Sequence, residues 1–504
     1  MKRILIACGV GVMMTGISWG QDIATTYANK ITQEDLRMHL EVVASDSMEG
    51  RATATEGQKR AARYIQSHFE SLGLQGVAEG DNPYQQEFKL EERTWGEVTL
   101  EANGNEFRNL EDFFYIGDKS MRSMDMEVVY VGKGEESDIE QMDLEGKAVV
   151  IFAPGRGASN APMERCKEKG AAAFLVIYSD DQEQFMGFIN TYKVYLARPQ
   201  LGFAVEEEDD GDAVFLISPD IASAILDQPF DDLRKMAERG KADEVEPAEL
   251  ELAAAREVKE LVSSNVVGFL EGSDEELKDE VLVITAHYDH LGTGNDGDVF
   301  NGADDDGSGT VTVMELAQSF AMAAAEGNGP RRSVLFMLVS GEEKGLLGSE
   351  YYTENPIFPL ENTVTNLNID MIGRIDDAHE DDPYFVYLIG SDKLSTELHE
   401  LSEAANQEYT KLDLDYRYND ENDPNRYYYR SDHYNFAKNN IPVVFYFNGT
   451  HEDYHRVSDT VDKIHFGKME RIGRLVFYTA WEVANRDTRP ALDEKEEPIA
   501  DDDE

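Results

Sequence analysis

"VLVITAHYDHLG", residues 281–292, changes character at its midpoint. Val281 to Ala286 carry no charge and are almost wholly apolar, while the next four residues include His287, Asp289 and His290. A half-exposed strand would alternate between apolar and polar residues. An unbroken apolar run of this length fits a strand buried on both faces, as in a parallel sheet covered by helices. In open sheets of that kind, ligands bind just beyond the carboxyl ends of the strands. The segment therefore predicts a fold and the position of its chemistry together.

Three further runs repeat the pattern: "SVLFMLVS" (333–340), "VTNLNIDMI" (364–372) and "IPVVFYF" (441–447). Between and after them, "GTVTVMELAQSFAMAAAE" (309–326), "STELHELSEAANQEY" (395–409) and "HFGKMERIGRLVFYTAWEVANR" (465–486) read as helices. The expected fold is α/β, with a mostly parallel central sheet sandwiched by helices. The strand ends carry "AHYDH", "SGEEKG" and "NIDM", and "GTHEDYH" follows the fourth strand after a short loop. Histidine and carboxylate are the groups that bind zinc through nitrogen and oxygen. A hydrolytic zinc site also needs a base beside the water and donors for the oxyanion. The adjacent Glu342 and Glu343 can divide metal and water between them.

"RSDH" (430–433) holds the letters of a serine-hydrolase triad, but consecutive residues cannot converge with triad geometry. Arg430 in this stretch either contacts substrate or forms an ion pair within an acidic protein. The run "YRYNDENDPNRYYYR" (416–430) is either an aromatic wall for a substrate side chain or a surface loop packed on its own tyrosines.

Taken in order, "AHYDHLG", "GADDDGSG", "SGEEKGLLGS", "NIDMIG" and "DYHRVSDT" resemble the secreted bacterial di-zinc aminopeptidases. Their superfamily includes glutaminyl cyclases, glutamate carboxypeptidase and the transferrin receptor ectodomain. "ASDSMEGRATATEGQKRAARYI" (44–65) resembles the segment that opens many bacterial members. Residues 126–255, with "GKAVVIF" and "ERCKEKGAAAFLVI", resemble a β-rich protease-associated domain inserted in the zinc exopeptidase (phosphorylase/hydrolase-like) fold.

The resemblance implies two zinc ions per chain. His287 and Asp370 are expected on one ion, Glu343 and His455 on the other, and Asp305 bridging both. Asp289 is implied to accept a hydrogen bond from the His287 imidazole, Glu342 to be the general base, and Tyr454 to donate to the oxyanion. A cis peptide between Asp305 and Asp306 is also implied, with Asp304 and Asp306 supporting the loop. His290 and His451 match no ligand position and are left out. The expected reaction is hydrolysis of the N-terminal bond of peptides or proteins. A dipeptidase or carboxypeptidase would need a cationic grip, for which Arg374 and Arg430 are available. A glutaminyl cyclase would bind one zinc, and a non-catalytic receptor-like module would lack ligands that are present here.

Elsewhere, Lys2 and Arg3 precede the apolar run 4–20, which reads as a leader at 1–20 and leads us to expect export to the periplasm or extracellular space. Its removal leaves Cys166 as the one cysteine, so no intrachain disulfide is expected. The formal charge of −55 argues against nucleic acid or anionic lipid as partners, and no other stretch suggests membrane insertion. The expected organisation is a peptidase domain in two parts, 21–125 and 256–487, around the insertion at 126–255. An acidic tail at 488–504, without apolar periodicity, follows.

Overall fold

The computed structural model describes residues 23–204 and 211–494. The leader at 1–20 and residues 495–504 of the acidic tail lie outside the described residues. The chain divides into two compact units: the described parts of Met1–Lys89 with Val262–Glu504, and Leu90–Leu261.

The first unit is built on β1 (Ala248–Leu270, from Val262 onward), β2 (Val281–His287), β3 (Ser333–Val339), β4 (Thr363–Ile369), β5 (Phe385–Ile389), β6 (Asp413–Asp415) and β7 (Val443–Phe447). Their order is β6-β5-β7-β4-β2-β3-β1. The four strands β3, β2, β4 and β7 run parallel, whereas β1 is antiparallel to β3 and β5 to β7. Every residue of β2, β3 and β4 is buried, as their unbroken apolar sequences require. The chain leaves β2 toward β3 on one side. It leaves β4, on the other side of β2, toward β5, β6 and β7. Diverging connections open a crevice at the carboxyl ends of β2 and β4, the topological switch point of the sheet.

Helices α1 (Gln33–Val43), α2 (Glu56–Ser71), α3 (Gly309–Ala325), α4 (Thr396–Ala405) and α5 (Phe466–Asn485) accompany this sheet. The Thr55 side chain caps α2 by accepting from the Gln58 N–H, and the helix ends just before Gly73, which has a φ of +76°. Its buried stripe is Ala61, Ala62, Ile65 and Phe69, while Tyr64 and Leu72 are only partly covered. Helix α3 is buried nearly all round because it packs against β2, α1, α2 and α5. Phe320 of α3 lies among Phe336, Phe477 and Trp481, with ring centroids 5.9, 4.8 and 5.7 Å away. Truncating such a ring to alanine leaves a cavity costing about 3–5 kcal/mol.

In Leu90–Leu261, strands Met121–Tyr130, Ala148–Phe152, Ala173–Ile177 and Val214–Ile217 pair in parallel, in that order. Helices Asn160–Glu168, Gln182–Leu196, Pro219–Leu226 and Phe230–Arg239 lie between or after them. The unit is therefore rich in strands, with helices between them. Cap signals mark two of these helices: Asp181 accepts from the Gln184 N–H, and Ser218 precedes Pro219 and accepts from the Ile221 N–H. The unit also begins at Leu90, not near residue 126, because the preceding segments supply strands to it. Glu91 to Arg93 pair with Gln200 to Gly202, and Phe114 and Tyr115 pair with Leu216 and Phe215. Cys166 is a buried free thiol here, pushed up to about 11 by burial. Among the described residues no helix is long and apolar enough to cross a membrane.

Helix α3 carries one costly group. Glu315 is fully buried, its Oε1 has no hydrogen bond, and the His39 Nε2 lies 3.5 Å from that atom. Burial, with a smaller contribution from Asp35, pushes the Glu315 carboxyl up to about 8, and burial pushes His39 down to about 4, so the pair is neutral rather than ionic. An acid whose folded pKa exceeds its unfolded value stabilises fully below the unfolded value. That stability is lost as pH rises toward the folded value. Glu315→Gln, which mimics the protonated acid, is expected to raise Tm relative to wild type at about pH 8, with the gain shrinking toward about pH 5. Thermal melts across that range check it, and a gain independent of pH contradicts the neutral buried acid.

Candidate metal centre

The crevice is furnished by segments that follow β2, β3, β4 and β7. After β2 and a short excursion, the chain returns as "GADDDGSG", with a cis peptide between Asp305 and Asp306. Gly302 opens this loop at a φ of +54°, and a Cβ there would lie 2.2 Å from the Asp305 carbonyl oxygen and 2.5 Å from the His290 ring. Only glycine permits both the left-handed backbone and that approach.

The three aspartates have different tasks. The Asp306 carboxylate accepts from the N–H groups of His287 (3.3 Å), Gly309 (2.8 Å) and Met371 (3.0 Å), tying the ends of β2 and β4 to the start of α3. The Asp304 carboxylate accepts from the Gly373 N–H at 2.6 Å and lies 3.2 Å from the His451 Nε2. Only Asp305 turns its carboxylate into the cluster. Its Oδ1 is 3.3 Å from the His287 Nε2, and its Oδ2 is 3.1 Å from the His455 Nε2. Burial alone would raise the Asp305 carboxyl, but the two imidazoles outweigh it and hold the group well below the ordinary carboxylate range.

Glu342 and Glu343 follow β3 in a short helical turn, after Gly341 at a φ of +80°. They face opposite sides of Asp305. The Glu343 Oε2 is 3.4 Å from the His455 Nε2, whereas the Glu342 Oε2 is 3.9 Å from the His287 Nε2. Asp370, at the end of β4, places its Oδ1 3.6 Å from the same His287 nitrogen. Its other oxygen accepts from the Ser431 hydroxyl at 2.7 Å, at the end of a buried chain running through Asn368 and Thr285. Burial first, then the charges of Asp370, Glu343 and Asp432, pushes the Glu342 carboxyl well above its ordinary range.

Ligand atoms lying within 4.8 Å of one another form two groups, His287 with Glu342 and Asp370, and His290 with Asp305 and Glu343. His290, left out of the ligand set on sequence grounds, is thus in the cluster, fully buried, with its Nδ1 2.8 Å from the Glu343 Oε1. Its position three residues after His287, at the same strand end, was the available signal. His451, also left out, faces Asp304 instead. The His287 Nδ1 lies 3.1 Å from the main-chain oxygen of Asp289 but 3.7 Å from its carboxylate. That carboxylate accepts instead from the Thr53 hydroxyl (2.7 Å) and the Glu342 N–H (3.3 Å). Asp289 therefore couples both strand ends.

Arg51, fully buried below the crevice, carried no signal as an isolated residue. Its guanidinium donates to the carbonyl oxygens of Tyr288 (2.8 Å), Val43 (2.8 Å), Asn301 (2.7 Å) and Gly302 (3.0 Å). The expected cationic grip also divides. Arg374 donates to Asp453 at 2.7 Å and lies 3.9 Å from Asp459, whereas Arg430 forms no ion pair among the described residues.

The donor set fits a divalent ion. Both ring nitrogens of His290, the Asp305 Oδ2 and the Glu343 Oε1 are buried with no hydrogen-bond partner. Uncompensated groups of this kind are costly in a protein interior. A cation inverts that cost, and mixed imidazole and carboxylate donors suit zinc.

Residues 265–480 match the family model described as Peptidase family M28. That segment, which carries the crevice, is thus similar to the peptidase domain of that family. The fold is similar to that of an aminopeptidase from Aneurinibacillus sp. strain AM-1, with a TM-score of 0.55 at 20% identity over 94% of this chain and 98% of that one. A probable zinc metalloprotease of Pyrenophora tritici-repentis is 37% identical over 134 residues, 24% of this chain and 25% of the relative. A vacuolar membrane protease of Verticillium alfalfae is 34% identical over 86 residues, 17% of this chain and 8% of the relative. The chain thus spans about a quarter or less of the length of these curated relatives.

Several fungal relatives carry the vacuolar membrane name, which overturns the expectation of export to the periplasm or extracellular space. An apolar leader begins translocation toward more than one destination, so residues 1–20 could not choose among them.

If His290 holds Glu343 in place, removing it weakens the metal. His290→Ala is expected to lower zinc affinity by about 10- to 100-fold, as loss of a supporting partner does. Competition with a chromogenic chelator reads this directly. An affinity equal to wild type, in a variant with an unchanged circular dichroism spectrum, contradicts the role.

Proposed function

We propose that the protein is a zinc exopeptidase that hydrolyses the N-terminal bond of peptides. The observation that carries this reading is the Asp305 carboxylate held between two imidazoles, 3.3 Å from His287 and 3.1 Å from His455. One carboxylate placed in this way suits a bridge between two ions. His287 and Asp370 would hold one, Glu343 and His455 the other, with Asp305 shared. Zinc, when bound, supplies Lewis-acid charge that polarises the scissile carbonyl and acidifies the attacking water.

The remaining work falls to side chains of this chain. Glu342, on the His287 side, accepts the proton of the attacking water as its oxygen bonds to the carbonyl carbon. It returns that proton to the leaving amine when the carbon–nitrogen bond breaks. Tyr454 lines the same cleft and stacks on His455 at a centroid distance of 3.9 Å. Burial, followed by the charges of Asp305, Glu343 and Glu342, pushes its phenol far above the ordinary value, so it remains a hydrogen-bond donor for the developing oxyanion. The main-chain carbonyl of Asp289 fixes the tautomer and tilt of His287. The carboxylates around the cleft receive the substrate's ammonium group, which favours an enzyme working from the amino end.

A panel of aminoacyl p-nitroanilides tests the reading on zinc-reconstituted protein. Wild type is expected to release nitroaniline from free-amine substrates, and Glu342→Gln to lose at least about 100-fold in kcat, as expected for a general base. The variant should keep the wild-type zinc content, which separates a base from a ligand. The absence of metal-dependent release from every substrate overturns the reading. Metal analysis should find two zinc ions per chain, falling in Asp305→Ala; one at saturation points to a single-metal enzyme.

A further inference from the structure

The walls of the cleft are apolar and aromatic, formed by Met371, Tyr427, Phe445, Phe447 and Tyr454, and its floor carries His287, Asp305, Glu342 and Asp370. Thr450 and Arg430 fit neither description, and of the two only Arg430 is charged. Arg430 is exposed at the cleft, with its guanidinium carbon 4.9 Å from the centre of the Tyr427 ring. It makes no side-chain hydrogen bond or ion pair among the described residues.

Other basic side chains, Arg426 and Arg456 among them, also lack an ion pair among the described residues, but of the lysines and arginines Arg430 alone lines this cleft. Asp and Glu number 101 against 46 Lys and Arg, so a basic side chain has many acids to find. Arg374, another arginine at this end of the sheet, has found two. Stacking on Tyr427 orients the Arg430 fork and lowers the entropy lost when it binds an anion, without using its five N–H donors. With the carboxylates gathered on the floor, the cleft has an acidic end suited to an ammonium group and a cationic edge suited to a carboxylate.

We propose that Arg430 is a specificity-determining residue that selects substrates bearing a carboxylate close to the scissile bond. The inference rests on the exopeptidase reading for its substrate. The carboxylate has two sources, the side chain of an N-terminal glutamate or the α-carboxylate of a dipeptide, and both present the same group to the same guanidinium. An apolar side chain would use the aromatic walls and leave Arg430 idle.

The test compares isosteric pairs on zinc-loaded wild type, Arg430→Gln and Arg430→Lys. For the side-chain source the pair is the p-nitroanilides of glutamate and glutamine, and for the α-carboxylate it is leucyl-leucine and its amide. For at least one pair, the charged-to-neutral ratio of kcat/KM is expected to fall about 10- to 100-fold in Arg430→Gln, the range of a lost charged hydrogen bond. The pair that responds names the source. Arg430→Lys should recover only part of the ratio, because a point charge replaces a bidentate fork. The preference should also weaken in high salt. If neither ratio moves by more than about twofold, a charged-hydrogen-bond role for Arg430 is overturned.

Calorimetry separates this inference from the reading beneath it. If wild type cleaves nothing, the exopeptidase reading fails, and binding of L-glutamate against L-glutamine, and of leucyl-leucine against its amide, decides the role of Arg430. Carboxylate-dependent binding lost in Arg430→Gln sustains the role, and equal or absent binding overturns it.

Discussion

The main-chain N–H groups of Asp304 and Asp305 both donate to the Asp459 carboxylate, at 3.0 and 3.2 Å. The Asp306 carboxylate, meanwhile, gathers N–H groups from the ends of β2 and β4 and the start of α3. Between these two clamps Asp305 has little freedom. Its carboxylate must lie between His287 and His455, and the two glutamates after β3 then fall on either side of it. The centre is thus set by main-chain donors from three segments, the ends of β2 and β4 and the loop itself, together with the carboxylate of Asp459 from a fourth. A cluster of like-charged side chains could not arrange itself in this way through its own interactions.

Charge is handled at three levels. A chain with a formal charge of −55 places most of its acids where water screens them. Inside the crevice that screening is absent, so carboxylates are neutralised locally. Arg51 is central to this: it spends its donors on four carbonyl oxygens, while its charge lies near Asp289, Asp305, Asp306 and Asp459. Arg374 and Lys463 serve the same purpose beside Asp453. The carboxylates left without such partners are the ones facing Asp305, where a divalent ion would complete the balance.

Much of the centre was legible in the residues. Unbroken apolar runs marked β2, β3, β4 and β7, and acids or histidines at their ends marked the rim, because strand burial and ligand binding leave opposite signatures on adjacent residues. Asp305 could be separated from Asp304 and Asp306 only through resemblance, since three neighbouring aspartates in a glycine-rich loop look alike in composition. His290 was passed over for the reverse reason: its importance lies in facing Glu343, a residue more than fifty positions away. The inserted unit was read as β-rich from its strands, yet the segments between them fold as capped helices. Its start was placed too late, since the pairing of residues near 91 and 114 with strands near 200 and 215 is a long-range property.

By itself the sequence determined the class of sheet, the crevice that must follow from it, and the kinds of atoms gathered there. Those properties depend on local periodicity and residue chemistry. The tertiary structure alone decided that His290 faces Glu343, that the Asp289 carboxylate turns to Thr53 and Glu342, and that Arg374 is engaged while Arg430 is not. Each depends on a distance between segments far apart in the chain. Such a distance is set by packing and by hydrogen bonds to the main chain, and neither is written in any one stretch of residues.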